Sequence, residues 1–189
     1  MWEENVILCD AQWLDSVVFN LIVNFERMLE RPIPKADLTK WVDYLSLDGG
    51  LRPGNNKVQV LLVHDEDKRR FQNCVPENFE DDLDGKAFSD NLGEFQFASL
   101  PVQSRLTSRQ ELFMESAATL LQTKEVKRIM FVPDMDLYGE AVGKLIHEVK
   151  DKDALLFTPE PKPLLRCPQE ILTYSLVATL GIRSEELPH

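Results

Sequence analysis

Val126-Lys-Arg-Ile-Met-Phe-Val-Pro-Asp-Met-Asp136 is the stretch that decides the fold. Ile129, Met130, Phe131 and Val132 form an unbroken apolar run, the pattern of a central parallel strand covered on both faces. Pro133 stops the ladder because it has no N–H to donate. Asp134 and Asp136 follow at once, where open α/β sheets place ligands, beyond the carboxyl ends of their strands.

Upstream, Asn5–Asp10 (N-V-I-L-C-D) is a second short apolar run that ends on an acid. Leu14 to Arg31 carries apolar residues at helical spacing until Pro32 and Pro34 end it. A helix is expected over Ala36–Leu47 with Leu38, Trp41, Val42 and Leu45 inward, then a strand over Lys57–His64. Residues 65–92 are acidic and interrupted, and only a short helix near Lys68–Asn73 is expected there. Glu94–Leu100 alternates like a strand. Ser108 with Glu111 three residues on has the capping-box pattern, opening a helix to about Thr123. Downstream come a helix over Leu137–Lys150, a strand at Ala154–Phe157 and a proline-rich connector, Thr158–Pro163. A last helix is expected over Gln169–Leu180.

Helices alternating with short apolar strands imply right-handed β-α-β crossovers. The expected fold is α/β: a three-layer α/β/α sandwich around a mostly parallel five-stranded sheet. With its strands counted along the chain, an order of 3-2-1-4-5 makes strands 1 and 4 neighbours at the switch point. Asp10 then lies beside Asp134 and Asp136. Residues 1–163 are expected to form a single α/β domain, and 164–189 a C-terminal helix packed on it or on a partner.

Hydrophobic residues make up 43% of the 189 and charged residues 28%, the balance of a soluble globular protein. No apolar run is long enough for a membrane span, and the N-terminus has no secretory pattern. Three scattered cysteines, Cys9, Cys74 and Cys167, fit a reducing cytoplasm rather than a disulfide or zinc framework. The net charge of −11 repels nucleic acid. RNA would therefore need a local basic patch: Lys68-Arg69-Arg70, Arg105 with Arg109, or Lys124, Lys127 and Arg128.

Carboxylates converging at strand ends repel one another unless a cation or shared protons intervene. Mg²⁺ or Mn²⁺ takes such oxygen ligands and can activate water for phosphoryl transfer. The competing role for Asp10 and Asp134 is plainer: each caps the helix that follows it. There is no glycine-rich phosphate loop, and three histidines assemble no Ser-His-Asp set. D-x-D after an apolar strand also occurs in Toprim domains, but Asp10 stands where those have Glu.

Three segments resemble the PIN-like nuclease superfamily, closest in layout to its NYN branch. Val6-Ile-Leu-Cys-Asp-Ala-Gln12 is similar to the opening strand ending in Asp, small residues and Asn. Ser108–Glu115 sits where the family places an acid at the start of a central helix. Ile129–Leu137 resembles the strand ending in Ser-Gly-Asp-x-Asp. The resemblance implies a parallel sandwich that hydrolyses RNA, with Asp10, Asp134 and Asp136 as catalytic metal ligands and Glu111 or Glu115 completing the set. Gln12 replaces the Asn, Val132-Pro133 replace the small pair, and Met135 separates the acids. These departures favour a scaffold or interaction domain with a vestigial acidic pocket over a Mg²⁺- or Mn²⁺-dependent ribonuclease. Its binding surface would be the 65–92 segment or the C-terminal helix, the latter suited to a homodimer contact.

Overall fold

In a computed structural model, which describes residues 1–188, the two acid-terminated apolar runs lie side by side in one sheet. They are β1 (Asn5–Asp10) and β7 (Arg128–Val132), paired in parallel from Asn5 opposite Arg128 to Cys9 opposite Val132. Between them the chain forms α1 (Ala11–Leu29), β2 (Ala36–Asp37), α2 (Leu38–Asp48), β3 (Asn56–Asp65) and β4 (Cys74–Val75). A single π-helical turn (Phe79–Leu83), β5 (Ala87–Ser89), β6 (Gly93–Val102) and α3 (Arg109–Gln122) follow. After β7 come α4 (Gly139–His147), β8 (Asp153–Thr158), β9 (Gln169–Ile171), α5 (Leu172–Thr179) and a 3₁₀ turn (Ser184–Glu186).

The main sheet runs β5-β6-β3-β1-β7-β8-β9, seven strands rather than five. Its inner members β6-β3-β1-β7-β8 are the expected strands in the expected order, all parallel. The two additions are edges. β5 pairs antiparallel with β6, and β9 pairs in parallel with β8. β2 and β4 form a separate two-stranded ladder.

Alternation along the strands divides the core between two faces. Ile7, Cys9, Met130 and Val132 pack with α1, α2 and α5, through Leu14, Trp41, Leu45 and Leu176. Val6, Leu8, Ile129 and Phe131 pack with α3 and α4, through Phe113, Leu120, Val142 and Ile146. That burial on both faces is why the central strands read as unbroken apolar runs.

Local chemistry sets the boundaries. α1 begins at Ala11, three residues before the expected start, because Asp10 accepts the Trp13 N–H as N-cap. Asp37 caps α2 through the Thr39 N–H, and Ser108 caps α3 through that of Glu111. The capping box does not close: the Glu111 carboxylate accepts from the Thr107 hydroxyl instead (3.1 Å). No helix forms at Lys68–Asn73. Asp15 ties the end of that stretch to α1, its carboxylate accepting from the backbone of Gln72 (3.0 Å) and Asn73 (2.8 Å) in a bend. Gly93 opens β6 at φ +152°, and a Cβ there would lie 2.2 Å from the Asn56 carbonyl oxygen.

The C-terminal helix is shorter than expected because Gln169–Ile171 take the free edge of β8 before α5 starts. α5 lies on α2, with Leu172, Leu176 and Leu180 buried and the Trp41 indole donating to Ser175 Oγ at 3.2 Å. Leu176 is 1% exposed and belongs to the core, whereas Tyr174 is the exposed large hydrophobic residue of α5. Among the described residues no helix is long and apolar enough to cross a membrane. Leu176→Ala is expected to cost about 2–5 kcal/mol in urea unfolding with an unchanged m-value, as a buried leucine truncation does.

Candidate functional site

The carboxyl ends of β3, β1 and β7 bring Asp65, Asp10 and, after Pro133, Asp134 around one side chain. This is the switch point of the sheet. The chain builds from β1 through β3 to β6, then returns by way of α3 to β7 on the other side of β1. Asp10 is fully buried and Asp134 is 5% exposed.

A buried carboxylate needs donors or a positive charge nearby. Here the charge comes from Arg109, the first residue of α3. Its Nη1 donates to both Asp10 oxygens, at 2.8 and 2.7 Å. The same nitrogen lies 3.7 Å from Asp134 Oδ2, and Arg109 Nε lies 3.7 Å from Asp65 Oδ2. Asp10 also accepts from the Trp13 backbone (3.1 Å) and from the Tyr138 hydroxyl (2.5 Å). Asp134 Oδ1 accepts from the backbone of Asp136 (3.0 Å) and Leu137 (3.1 Å). The Trp13 indole N–H donates to Asp136 Oδ2 at 3.0 Å. The Gln12 amide oxygen accepts from the Asp65 backbone N–H, tying the ends of β1 and β3 together.

The titration behaviour follows from this packing. Burial raises the Asp134 pKa above the usual carboxylate range, reinforced by Asp10 and opposed by the Leu137 and Asp136 amides and by Arg109. Burial acts to lower the Arg109 pKa, but the charge and hydrogen bonds of Asp10 raise it above the ordinary guanidinium value. Burial and then Asp10 push the Tyr138 phenol up as well, so it is a fixed donor.

The structure therefore assembles Asp10, Asp134 and Asp136 in one network. Asp10 also caps α1, but Asp134 caps no helix: α4 starts at Gly139 after Tyr138, which makes no side-chain cap, and Asp134 holds the Asp136–Leu137 turn instead. Glu111 and Glu115 do not join it; both are exposed on α3. Among the described residues no three His, Cys, Asp or Glu side chains are arranged to hold a metal ion. The chemistry of the donor set agrees. Both Asp10 oxygens are taken by Arg109, with Trp13 and Tyr138 adding to them, and the same guanidinium lies against Asp134, so the positive charge these carboxylates need is already supplied by the protein. These residues do not fit the metal. Met135, between the two acids, is accommodated by Gly139: a Cβ there would lie 2.3 Å from the Met135 sulfur.

Arg109, Tyr138, Trp13, Gln12 and Asp65 are the members that sequence reasoning missed. Arg109 carried a usable signal. It follows an N-cap on the helix that must return over the strand ends, so it was the nearest cation to an acid cluster that needed one.

Beside this network, at the carboxyl ends of β3 and β6, lies an open cleft of about 730 Å³. Its walls carry Glu66, Asp67, Glu80, Asp81 and Asp84, against Arg69 as the one lysine or arginine among its lining residues. Its inner wall is a buried aromatic pair, His64 stacked on Phe79 with ring centroids 4.0 Å apart and planes 11° apart. His64 Nδ1 donates to the Asp65 carbonyl (2.8 Å), and Nε2 pairs with the Ser99 hydroxyl (2.6 Å). Asn78 builds the π-helical turn, its side-chain oxygen accepting from Glu80 (3.1 Å) and Asp81 (2.9 Å). The Lys68-Arg69-Arg70 run does not make one basic patch here. Arg69 lines the acidic cleft, while Lys68 and Arg70 line a separate hollow with Asp15.

Arg109→Met leaves the Asp10 carboxylate buried without its cation. It is expected to lower unfolding stability at neutral pH by about 3–5 kcal/mol, measured by urea denaturation. A loss well below 1 kcal/mol would mean that the pair is not buried as described.

No curated protein and no solved structure matches the chain. Its sequence does match, over residues 1–187, a family of unknown function, DUF6621. The chain belongs to that family.

Proposed function

We propose that this protein is an interaction domain without phosphodiesterase activity, built on a PIN-like arrangement, that receives cationic groups in the acid-lined cleft. The observation that carries the reading is the cleft itself: a cavity of about 730 Å³ at strand carboxyl ends, with five carboxylates on its walls. Its size is in the range of ligand sites, and its position follows the general rule for open α/β sheets. Low-dielectric walls lined by one sign of charge focus the field and concentrate counter-charges. Ammonium or guanidinium groups meet that field; a phosphate backbone is repelled by it.

Arg109 supports the non-catalytic half of the reading. An endogenous guanidinium compensates Asp10 and Asp134, leaving no place for the divalent ion that a metal-dependent nuclease needs to activate water. The ligand class is a chain of ammonium groups, whether a polyamine or a lysine-rich segment of another protein.

Spermine and a hexalysine peptide are each expected to raise the thermal midpoint in low salt and to lose the effect at high ionic strength. Glu66→Gln combined with Asp81→Asn removes most of the shift. The tighter-binding probe identifies which of the two sources is the natural one. MgCl₂ and MnCl₂ at matched ionic strength give no specific shift, and no RNA cleavage follows their addition. Equal responses from the wild type and the double variant, or no response from either, contradict the reading.

A further inference from the structure

On the opposite side of α2 from its core face, a second carboxylate pair stands outside the network above. Asp43, on α2, lines one cavity with Asn91 and Leu92 of the turn that joins β5 to β6, a turn that Asp90 begins. Asp43 Oδ1 is shut off from solvent, and no protein donor reaches it. Asp90 is exposed and is held as an acceptor: its Oδ1 takes the Leu92 N–H at 2.9 Å and the Gly93 N–H at 3.3 Å. The turn is fixed from its other side too. The Asn56 amide donates to the Leu92 carbonyl (2.8 Å), and the Gly54 N–H donates to that of Asn91 (3.1 Å). Beneath it lies a cavity of about 290 Å³ walled by Tyr44, Leu47, Pro53 and Leu92.

A buried carboxylate oxygen with no donor is a costly arrangement. A proton on Asp43 lowers the cost, because the buried group is then neutral and can donate to Asp90. The proton belongs on Asp43, the more buried of the two, since Asp90 is exposed and its Oδ1 already accepts from two backbone N–H groups.

We propose that Asp43 and Asp90 share one proton and so form a latch, which ties α2 to the Asp90–Gly93 turn across the 290 Å³ cavity and releases in alkaline solution. Burial, then the hydrogen bond to Asp90 and its charge, move the Asp43 pKa up to about 7, so the latch works near neutrality. Lys40 and Tyr44, on α2 itself, are the other titratable groups lining the cavity; the loop before β3 contributes Pro53, and the turn contributes Asn91 and Leu92. None of these supplies a donor to Asp43 Oδ1.

The linkage has a definite sign. With its folded pKa raised, Asp43 holds a proton in the folded chain that the unfolded chain has already released. The stability it contributes is full below the ordinary carboxylate value and is lost as the pH rises through about 7.

The test is a ¹³C carboxyl titration of the full-length protein by NMR, followed by amide shifts of Leu92 and Gly93. Asp43 is expected to titrate near neutrality, and the two amides to move with the same midpoint. In Asp90→Asn the side-chain amide donates to Asp43, and the Asp43 midpoint falls below its wild-type value while burial still holds it above the ordinary carboxylate range. In Asp43→Asn the Leu92 and Gly93 amides lose their neutral transition. The thermal midpoint of this variant gains on the wild type by a few degrees as the pH rises from 5 to 8. An Asp43 midpoint in the ordinary range in the wild type, or one unmoved in Asp90→Asn, overturns the proposal. Parallel stability–pH curves for wild type and Asp43→Asn overturn it as well.

Discussion

One ion pair sets the terms for the rest of the molecule: Arg109 at the start of α3, held on the fully buried carboxylate of Asp10 at the end of the central strand. A carboxylate so completely removed from water is tolerable only with a fixed cation and donors around it. That requirement brings the N-terminus of α3 onto the carboxyl edge of the sheet, where α3 crosses from β6 back to β7. Tyr138 and Trp13 complete the set from the chain on either side, so α1, α3 and the approach to α4 meet at one residue. The strand-end acids become a structural joint.

This joint separates two things that an α/β sheet usually puts in one place. The switch point between β1 and β7 is where the rule for open sheets puts a ligand, and here it is filled by protein groups. The open volume lies one strand over, at β3 and β6, walled by the 65–84 stretch that follows β3. The net charge of −11 is therefore not spread evenly in its consequences. At the switch point negative charge is compensated from within, whereas in the cleft it faces solvent and remains available to a cation.

The parallel core was legible because its chemistry is repetitive. The apolar runs at 6–9, 60–63 and 129–132 are buried on both faces, and nothing but a central strand needs that pattern. Edge strands lack the constraint. β5 and β9 are three residues each, with exposed or half-buried side chains, so they leave no periodicity to read. The 65–92 segment was opaque for a related reason: it is organised by single long-range contacts, such as Asp15 with the backbone of Gln72 and Asn73, rather than by its own pattern. At the site, the clustering of Asp10, Asp134 and Asp136 followed from strand order alone. What compensates them did not. Arg109 is one cation among several on an acidic chain, and only its place just after the N-cap of α3 sets it apart from the others. Helical Glu111 and Glu115 shared the segment of Arg109 but not its face, since only the first residue of α3 reaches back over the strand ends.

The most direct test of the joint is a double-mutant cycle on Arg109→Met and Asp10→Asn, read by urea unfolding, with asparagine retaining the N-cap of α1. Mutual dependence predicts that Asp10→Asn restores stability to the Arg109→Met chain, leaving the double variant more stable than that single one. Additive losses would show that each side chain acts alone, and that the two residues do not carry the strand ends between them.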